Sequence, residues 1–340
     1  MLLPILLMAG LSAWMLNQDL LFVDEVQSLN YSMLEPFGSP DIWGIFVLRT
    51  QEAGGMGLVY HWLLGAWGAL VGSSPFALRA LSWLFAILAI ATAYQLGRYL
   101  FGTQVGRYTV ILLAGSAFFI DYAHEGRAYS MMPVLMCVVM YAYLRGWRSQ
   151  TGRSAWYVGV TVSLALLFYT HYMALVIGAA LGVIHLFNFE RSRHWWLMLV
   201  AIILGGLTFL PWIGVLLSII AYGASDVTRQ SLALPTGEIV PELLFAFSGA
   251  NSAFVLLLTL IALRQIERRQ VMVWFGIIVT VLAAIVINWQ VAFMLHIRYL
   301  ILIWPLMAML VAIGIDELRQ RGIPPLLPLI IWLGIGTFQT

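Results

Sequence analysis

Long apolar runs follow one another along nearly the whole chain, and few folds can accommodate that pattern. A helix needs about 20 mostly apolar residues to cross the hydrocarbon of a bilayer. Candidate spans lie at 2–17, 76–96, 104–120, 128–145, 155–170, 173–188, 195–220, 241–263, 271–288, 299–315 and 323–338. Hydrophobic residues make up 62% of the 340 and charged residues 9%, against roughly 45–50% and 25% in soluble chains. The expectation is an all-α, polytopic membrane protein of about eleven transmembrane helices, organised as a single transmembrane domain over 1–340. The first helix has neither a basic n-region nor a small-residue cleavage site, so it is expected to be retained. Segment 57–71 is apolar but short and carries His61, Trp62 and Trp67, which suits a helix lying flat at the interface. Residues 18–75 then form a first extracytoplasmic loop that contains short interfacial helices.

Charge sets the orientation and excludes several functions. All 17 basic residues are arginine, so P-loop and Schiff-base chemistry, which need an amine, are ruled out. A single cysteine, Cys137, excludes an internal disulfide and a CxxC site. A net charge of +2 gives no reason to expect nucleic acid. On alternating sides, only Arg49, Arg79, Arg127, Arg229 and Arg298 of the 17 arginines fall outside, a clear positive-inside bias. The acidic residues go the other way, with Asp19, Asp24, Glu25, Glu35, Asp41 and Glu52 in the first outer loop. No charge lies near the middle of a span, and no internal repeat is visible. Both absences argue against an ion-coupled transporter.

The outer face is where chemistry is expected. Asp24 and Glu25 open a helical pattern, and neighbours on a helix point about 100° apart, so only one can aim into a given cavity. A solvated helix start would also hold such a pair, favoured by the dipole. The second outer hairpin packs Asp121, His124, Glu125, Arg127 and Tyr129 between apolar spans, with Glu125 and Tyr129 on one helix face. It reads equally as a capping Glu–Arg pair or as a ligand site. His171 and Tyr172 form a third turn; Arg298 and Tyr299 begin a late span; Arg79 begins an early one. Each arginine reads either as snorkelling to headgroups or as a phosphate contact, for which its fork is suited. Together, carboxylates and arginines at one depth suit a reaction that takes a proton from a hydroxyl and expels a phosphate. Asp24, Glu52 and His171 also offer oxygen and imidazole donors to a divalent cation; no other cofactor is indicated.

These segments occur in a familiar order: Asp24-Glu25, GLVYHWLLGAW at 57–67, SPFALRALSW from 74, HEGRAYSM at 124–131, LLFYTHYMAL at 166–175, LPW at 210–212 and RYLILIWPLMAML at 298–310. The chain resembles the GT-C glycosyltransferases of family 39, which include protein O-mannosyltransferases and are similar to the lipid A aminoarabinose transferase. The resemblance implies transfer of a sugar, with inversion, from a polyprenyl-phosphate carrier to a hydroxyl acceptor on the extracytoplasmic face of the cell membrane. It places Asp24 on the catalytic aspartate with Glu25 beside it. It places Glu125, Arg127 and Tyr129, with His124 before them, on one family motif, His171 and Tyr172 on another and Arg298 on a late Arg-Tyr pair. With the reading of the residues themselves, Arg79, Arg127, Tyr129, Arg298 and Tyr299 are expected to be donor- or phosphate-binding, and Glu52, Tyr60, His124, Glu125, His171 and Tyr172 cavity-lining. The chain departs from the family where relatives carry a pair of prolines and it has Gly55-Met56-Gly57. Two other classes remain open: a transporter or flippase of lipid-linked substrates, and a non-catalytic membrane subunit with the same fold.

The orientation is directly testable. In a Cys137→Ser background, a cysteine at Ser39 should react with a membrane-impermeant maleimide added to intact cells. Reaction only after the membrane is opened would reverse the topology.

Overall fold

The computed structural model describes residues 2–17, 20–51, 56–148, 153–187, 191–223, 234–265, 268–291 and 296–336. Every regular element among them is a helix. The chain begins with α1 (Leu2–Ala13), then three short helices, α2 (Val23–Tyr31), α3 (Ile42–Gln51) and α4 (Leu58–Val71). A long helix, α5 (Pro75–Phe101), follows. Ser74 caps it by accepting from the Ala77 amide at 3.2 Å, Pro75 fills its first turn, and Gly102 at φ +94° stops it. At about 1.5 Å per residue its 27 residues span roughly 40 Å. Arg79 therefore sits at one end of the molecule and Arg98 at the other.

Five helices are long and apolar enough to cross a membrane, or up to seven if two bent pairs each count as one span. The long ones are Pro75–Phe101, Ala128–Trp147, Arg193–Ala221, Gln270–Gln290 and Ile297–Gln320. The pairs are α6 (Thr103–Ala114) with α7 (Ala117–Ala123), bent by 69°, and Thr236–Ser248 with Ser252–Ala262, bent by 93°. Eleven spans are thus not reached by helix length. After α8 (Met131–Arg148), helices α9 (Arg153–Phe168) and α10 (Met173–Leu186) have 16 and 14 residues, and α1 has 12. All three fall short of the hydrocarbon thickness when upright. The protein is nonetheless a multi-pass membrane protein.

Helix α4 does not stand apart from the protein. Leu58, Tyr60 and Leu64 are almost fully buried, and the Trp67 indole donates to the Ala77 carbonyl at 2.8 Å. It rests on α2, α3 and the start of α5, so the first loop is a packed layer over one end of the bundle. One hydrophobic core runs from Met8 to Trp332. Its axis is the helix Trp304–Gln320, buried from Trp304 to Ile315.

Close packing there depends on Gly314. A Cβ at this position would collide with the backbone of Leu258 on the neighbouring helix, and backbone cannot yield as a side chain can. Gly182 on α10 faces open space. Gly314→Ala should lower stability by about 1–3 kcal/mol, while Gly182→Ala should be neutral or slightly stabilising. Thermal unfolding in detergent would measure both.

Candidate active site

Glu25 and Arg79 anchor the site. Glu25 sits in the first turn of α2 and reaches back to accept from the Phe22 amide at 3.1 Å. Its Oε1 accepts from Arg79 Nε at 2.8 Å and its Oε2 from Arg79 Nη2 at 2.7 Å, a two-pronged pair. The Gly126 amide donates to Oε1 at 3.0 Å, and Arg79 Nη2 also donates to the Leu20 carbonyl at 2.9 Å. The pair ties α2, α5 and the hairpin after α7 together. Burial alone would push the Glu25 carboxyl up, but the Arg79 hydrogen bonds and the two amides outweigh it and hold it below the usual range.

Asp24 points the other way, as residues about 100° apart must. Its side chain is 30% exposed, whereas that of Glu25 is 0% exposed. Arg298 Nη2 donates to Asp24 Oδ2 at 2.7 Å, across 274 residues of sequence. Arg298 Nη1 lies 3.6 Å from Glu125 Oε1, and its guanidinium lies 5.1 Å above the Tyr129 ring. Arg127 Nη1 donates to the Asp24 main-chain oxygen at 3.1 Å. Burial raises the Glu125 carboxyl to about 7 against the pull of Arg298 and Arg127, with Asp24 and Glu25 adding to the rise.

Around this centre, Tyr129 stacks on Tyr299 with ring centres 6.5 Å apart, and the His171 ring lies tilted against Tyr299 at 4.9 Å. Ser82 donates to the Arg127 carbonyl at 3.0 Å, so the Tyr60 hydroxyl, 2.7 Å from Ser82, must donate to Ser82. Tyr60 thereby holds the Arg127 loop from behind. Residues 124–127 are bends followed by a single 3-10 turn. Glu125 and Tyr129 therefore do not share an α-helical face as the spacing suggested. The His124 Nδ1–H donates to the Ile120 carbonyl at 3.0 Å. Tyr172 accepts from the Trp212 indole at 3.2 Å. Glu52 lies outside the described residues.

Comparison with known proteins bears on the fold that carries these residues. The family described as dolichyl-phosphate-mannose-protein mannosyltransferase matches residues 56–217, a stretch that holds Arg79, Glu125, Arg127, Tyr129 and His171 but not Asp24 or Arg298. No curated protein sequence matches. Among solved structures, ArnT from Cupriavidus metallidurans bound to undecaprenyl phosphate is similar at TM-score 0.65 and 15% identity, over 94% of this chain and 61% of that one. The same protein in the apo state gives 0.58 and 18%, over 78% and 50%. The Archaeoglobus fulgidus oligosaccharyltransferase AglB, in complex with an inhibitory peptide and a dolichol-phosphate, gives 0.53 and 13%, over 94% and 50%. The fold is that of the GT-C glycosyltransferases. The chain spans about half to three fifths of the length of these GT-C structures.

Within this GT-C fold, the outer arginines named from sequence divide by partner. Arg298 and Arg127 meet Asp24, whereas Arg79 is 1% exposed and committed to Glu25. Sequence reasoning passed over Gln27, Tyr31, Arg49 and Thr170, which line a polar cavity with His61, Arg127, Tyr129 and His171. Gln27 and Tyr31 follow Asp24 at helical spacing, a signal that was available. Among the described residues, no three His, Cys, Asp or Glu side chains group as a metal site. Asp24 and His171 do not fit one either. Asp24 is engaged by Arg298, and His171 Nδ1 accepts the Met173 amide at 3.2 Å.

Removing one partner of a buried ion pair leaves an uncompensated charge. Glu25→Gln or Arg79→Met should each cost about 3–5 kcal/mol in unfolding assays. Because the carboxyl of Glu25 is held low in the fold, its contribution is fully present above the ordinary carboxylate range. That contribution is lost as pH falls through the folded value.

Proposed function

We propose that the protein is an integral-membrane glycosyltransferase. It moves a sugar from a polyprenyl-phosphate carrier to a hydroxyl acceptor on the extracytoplasmic face, with inversion. The observation that carries this reading is the partly exposed Asp24 carboxylate, held 2.7 Å from Arg298 with Arg127 and Glu125 beside it. That set combines a base with groups able to receive negative charge.

Asp24 takes the hydroxyl proton as the acceptor oxygen attacks the anomeric carbon. The bond from that carbon to the carrier phosphate breaks on the opposite face, which inverts the configuration. Arg298 serves both ends of the step. One nitrogen fixes the carboxylate, and Nε, buried and without an acceptor among the described residues, remains to donate. Hydrogen bonds that strengthen as the phosphate gains charge lower the barrier as well as aiding binding. The family match and the GT-C fold support a lipid-linked donor, and the undecaprenyl phosphate in ArnT is a carrier of that class. We read Glu25 and Arg79 as positioning this set. Tyr129 and Tyr299 stack beneath it; Tyr60, His124, Glu125, His171 and Tyr172 shape its walls.

Three outcomes test the reading. Asp24→Asn, which keeps the shape but cannot take the proton, should abolish transfer from a polyprenyl-phospho-sugar while the protein stays folded. Arg298→Lys and Arg127→Lys should lower turnover at least about tenfold, and Arg107→Lys at the opposite end should leave it unchanged. Glu125 bears on pH. Below about 7 it is protonated and releases Arg298 from sharing, so the donor, a diester that does not titrate here, should bind more tightly. Glu125→Gln should flatten that dependence between pH 6 and 8. Full turnover by Asp24→Asn would exclude the mechanism.

A further inference from the structure

A second polar space lies behind the Asp24 centre, and its walls select for a particular substrate. It is a cavity of about 160 Å³, with Gln27 and Tyr31 of α2, Arg49 of α3, Gly57 at the head of α4, Arg127 and His171 among its lining residues. Asp24, Gln27 and Tyr31 stand at i, i+3 and i+7 on α2, so the cavity begins one turn from the carboxylate. No carboxylate is found among its described lining residues.

Three elements aim hydrogen-bond donors or positive charge into it. Arg127 donates to the Asp24 main-chain oxygen and, unlike Arg79 and Arg298, has no carboxylate within ion-pair distance among the described residues. His171 is 4% exposed, and its Nδ1 accepts the Met173 amide, which puts the hydrogen on Nε2. That Nε2–H is buried without an acceptor among the described residues. Leaving a buried donor unmade is costly, so an occupant oxygen is the natural partner. The third contribution is the start of α4. Its cap is Gly57 at φ +80°, which supplies no side-chain acceptor and lines the cavity; the Val59 amide donates to the Tyr169 carbonyl at 3.4 Å, and the positive end of this 14-residue helix adds to the potential there. A Cβ at Gly57 would come within 3.2 Å of His61 Nε2, so a side chain would crowd this wall. Gln27, Tyr31 and Tyr129 add the amide and hydroxyl groups, and the aromatic faces, that suit sugar hydroxyls and ring carbons.

The geometry points to a carboxylate-bearing sugar, a hexuronate, as the occupant of this cavity. Its ring would lie beside Tyr31 and Tyr129, and its carboxylate would accept from Arg127 and His171. The inference rests on the glycosyltransferase reading. The hexuronate could be the sugar on the carrier or the terminal sugar of the acceptor, and the chemistry of recognition is the same for both.

Binding to the full-length protein in nanodiscs tests it. One arm compares undecaprenyl phosphate, undecaprenyl-phospho-glucose and undecaprenyl-phospho-glucuronate. A second titrates methyl glucuronide against methyl glucoside, with and without undecaprenyl phosphate. Both are repeated with the galacto pair. A charge-assisted hydrogen bond should favour the uronate at least about tenfold in one arm. Preference in the first arm assigns the hexuronate to the donor, and preference in the second to the acceptor. His171→Phe should reduce the ratio below about threefold while leaving affinity for bare undecaprenyl phosphate intact. A wild-type ratio below about threefold in both arms and both stereochemical series overturns the proposal, whatever the variants do. If bare undecaprenyl phosphate fails to bind, the carrier reading fails instead, and the methyl glycosides titrated without lipid still decide the cavity.

Discussion

The buried pair between Glu25 and Arg79 is the joint on which this end of the bundle is hung. Two charges taken out of water cost free energy unless their geometry is near ideal. Here the cost is offset by both prongs of the guanidinium and by the Phe22 and Gly126 amides. That geometry fixes the start of α2 against α5 and the hairpin after α7. Asp24, one residue earlier, is thereby forced outward. The partly exposed carboxylate owes its direction to a neighbour that is itself shielded from solvent.

A second arginine uses its nitrogens differently. Arg298 touches Asp24 and approaches Glu125 while lying over the Tyr129 ring, so its charge is shared among several groups. With Glu125 raised to about 7, the sharing changes close to neutrality. Arg127, in contrast, is fixed through a main-chain oxygen and keeps its charge available to whatever enters the cavity.

Much of this was legible in the chain, and the limits have physical causes. Helicity, membrane residence and the gathering of charge at one end follow from apolar runs and arginine placement, which depend on local sequence. The divergence of Asp24 and Glu25 follows from helix geometry alone. Partner choice does not. Arg79 and Arg298 read alike, each an arginine opening an apolar span, yet one is sealed against Glu25 and the other faces Asp24. Only packing between distant segments separates them. The same holds for Arg49, buried under Tyr31 by a tertiary contact. Eleven spans are not confirmed by helix length, because helices such as α9 and α10, at 16 and 14 residues, are short of an upright crossing.

The bond between Asp24 and Arg298 closes over 274 residues. At roughly 5–20 residues per second, the ribosome needs tens of seconds to make what lies between. During that interval the aspartate is already made while its arginine is not. The layer of short helices around Asp24 must therefore wait, partly assembled, for the segment that carries Arg298. A ribosome that stalls before residue 298 leaves a chain with its earlier helices in place and the Asp24 carboxylate without this partner.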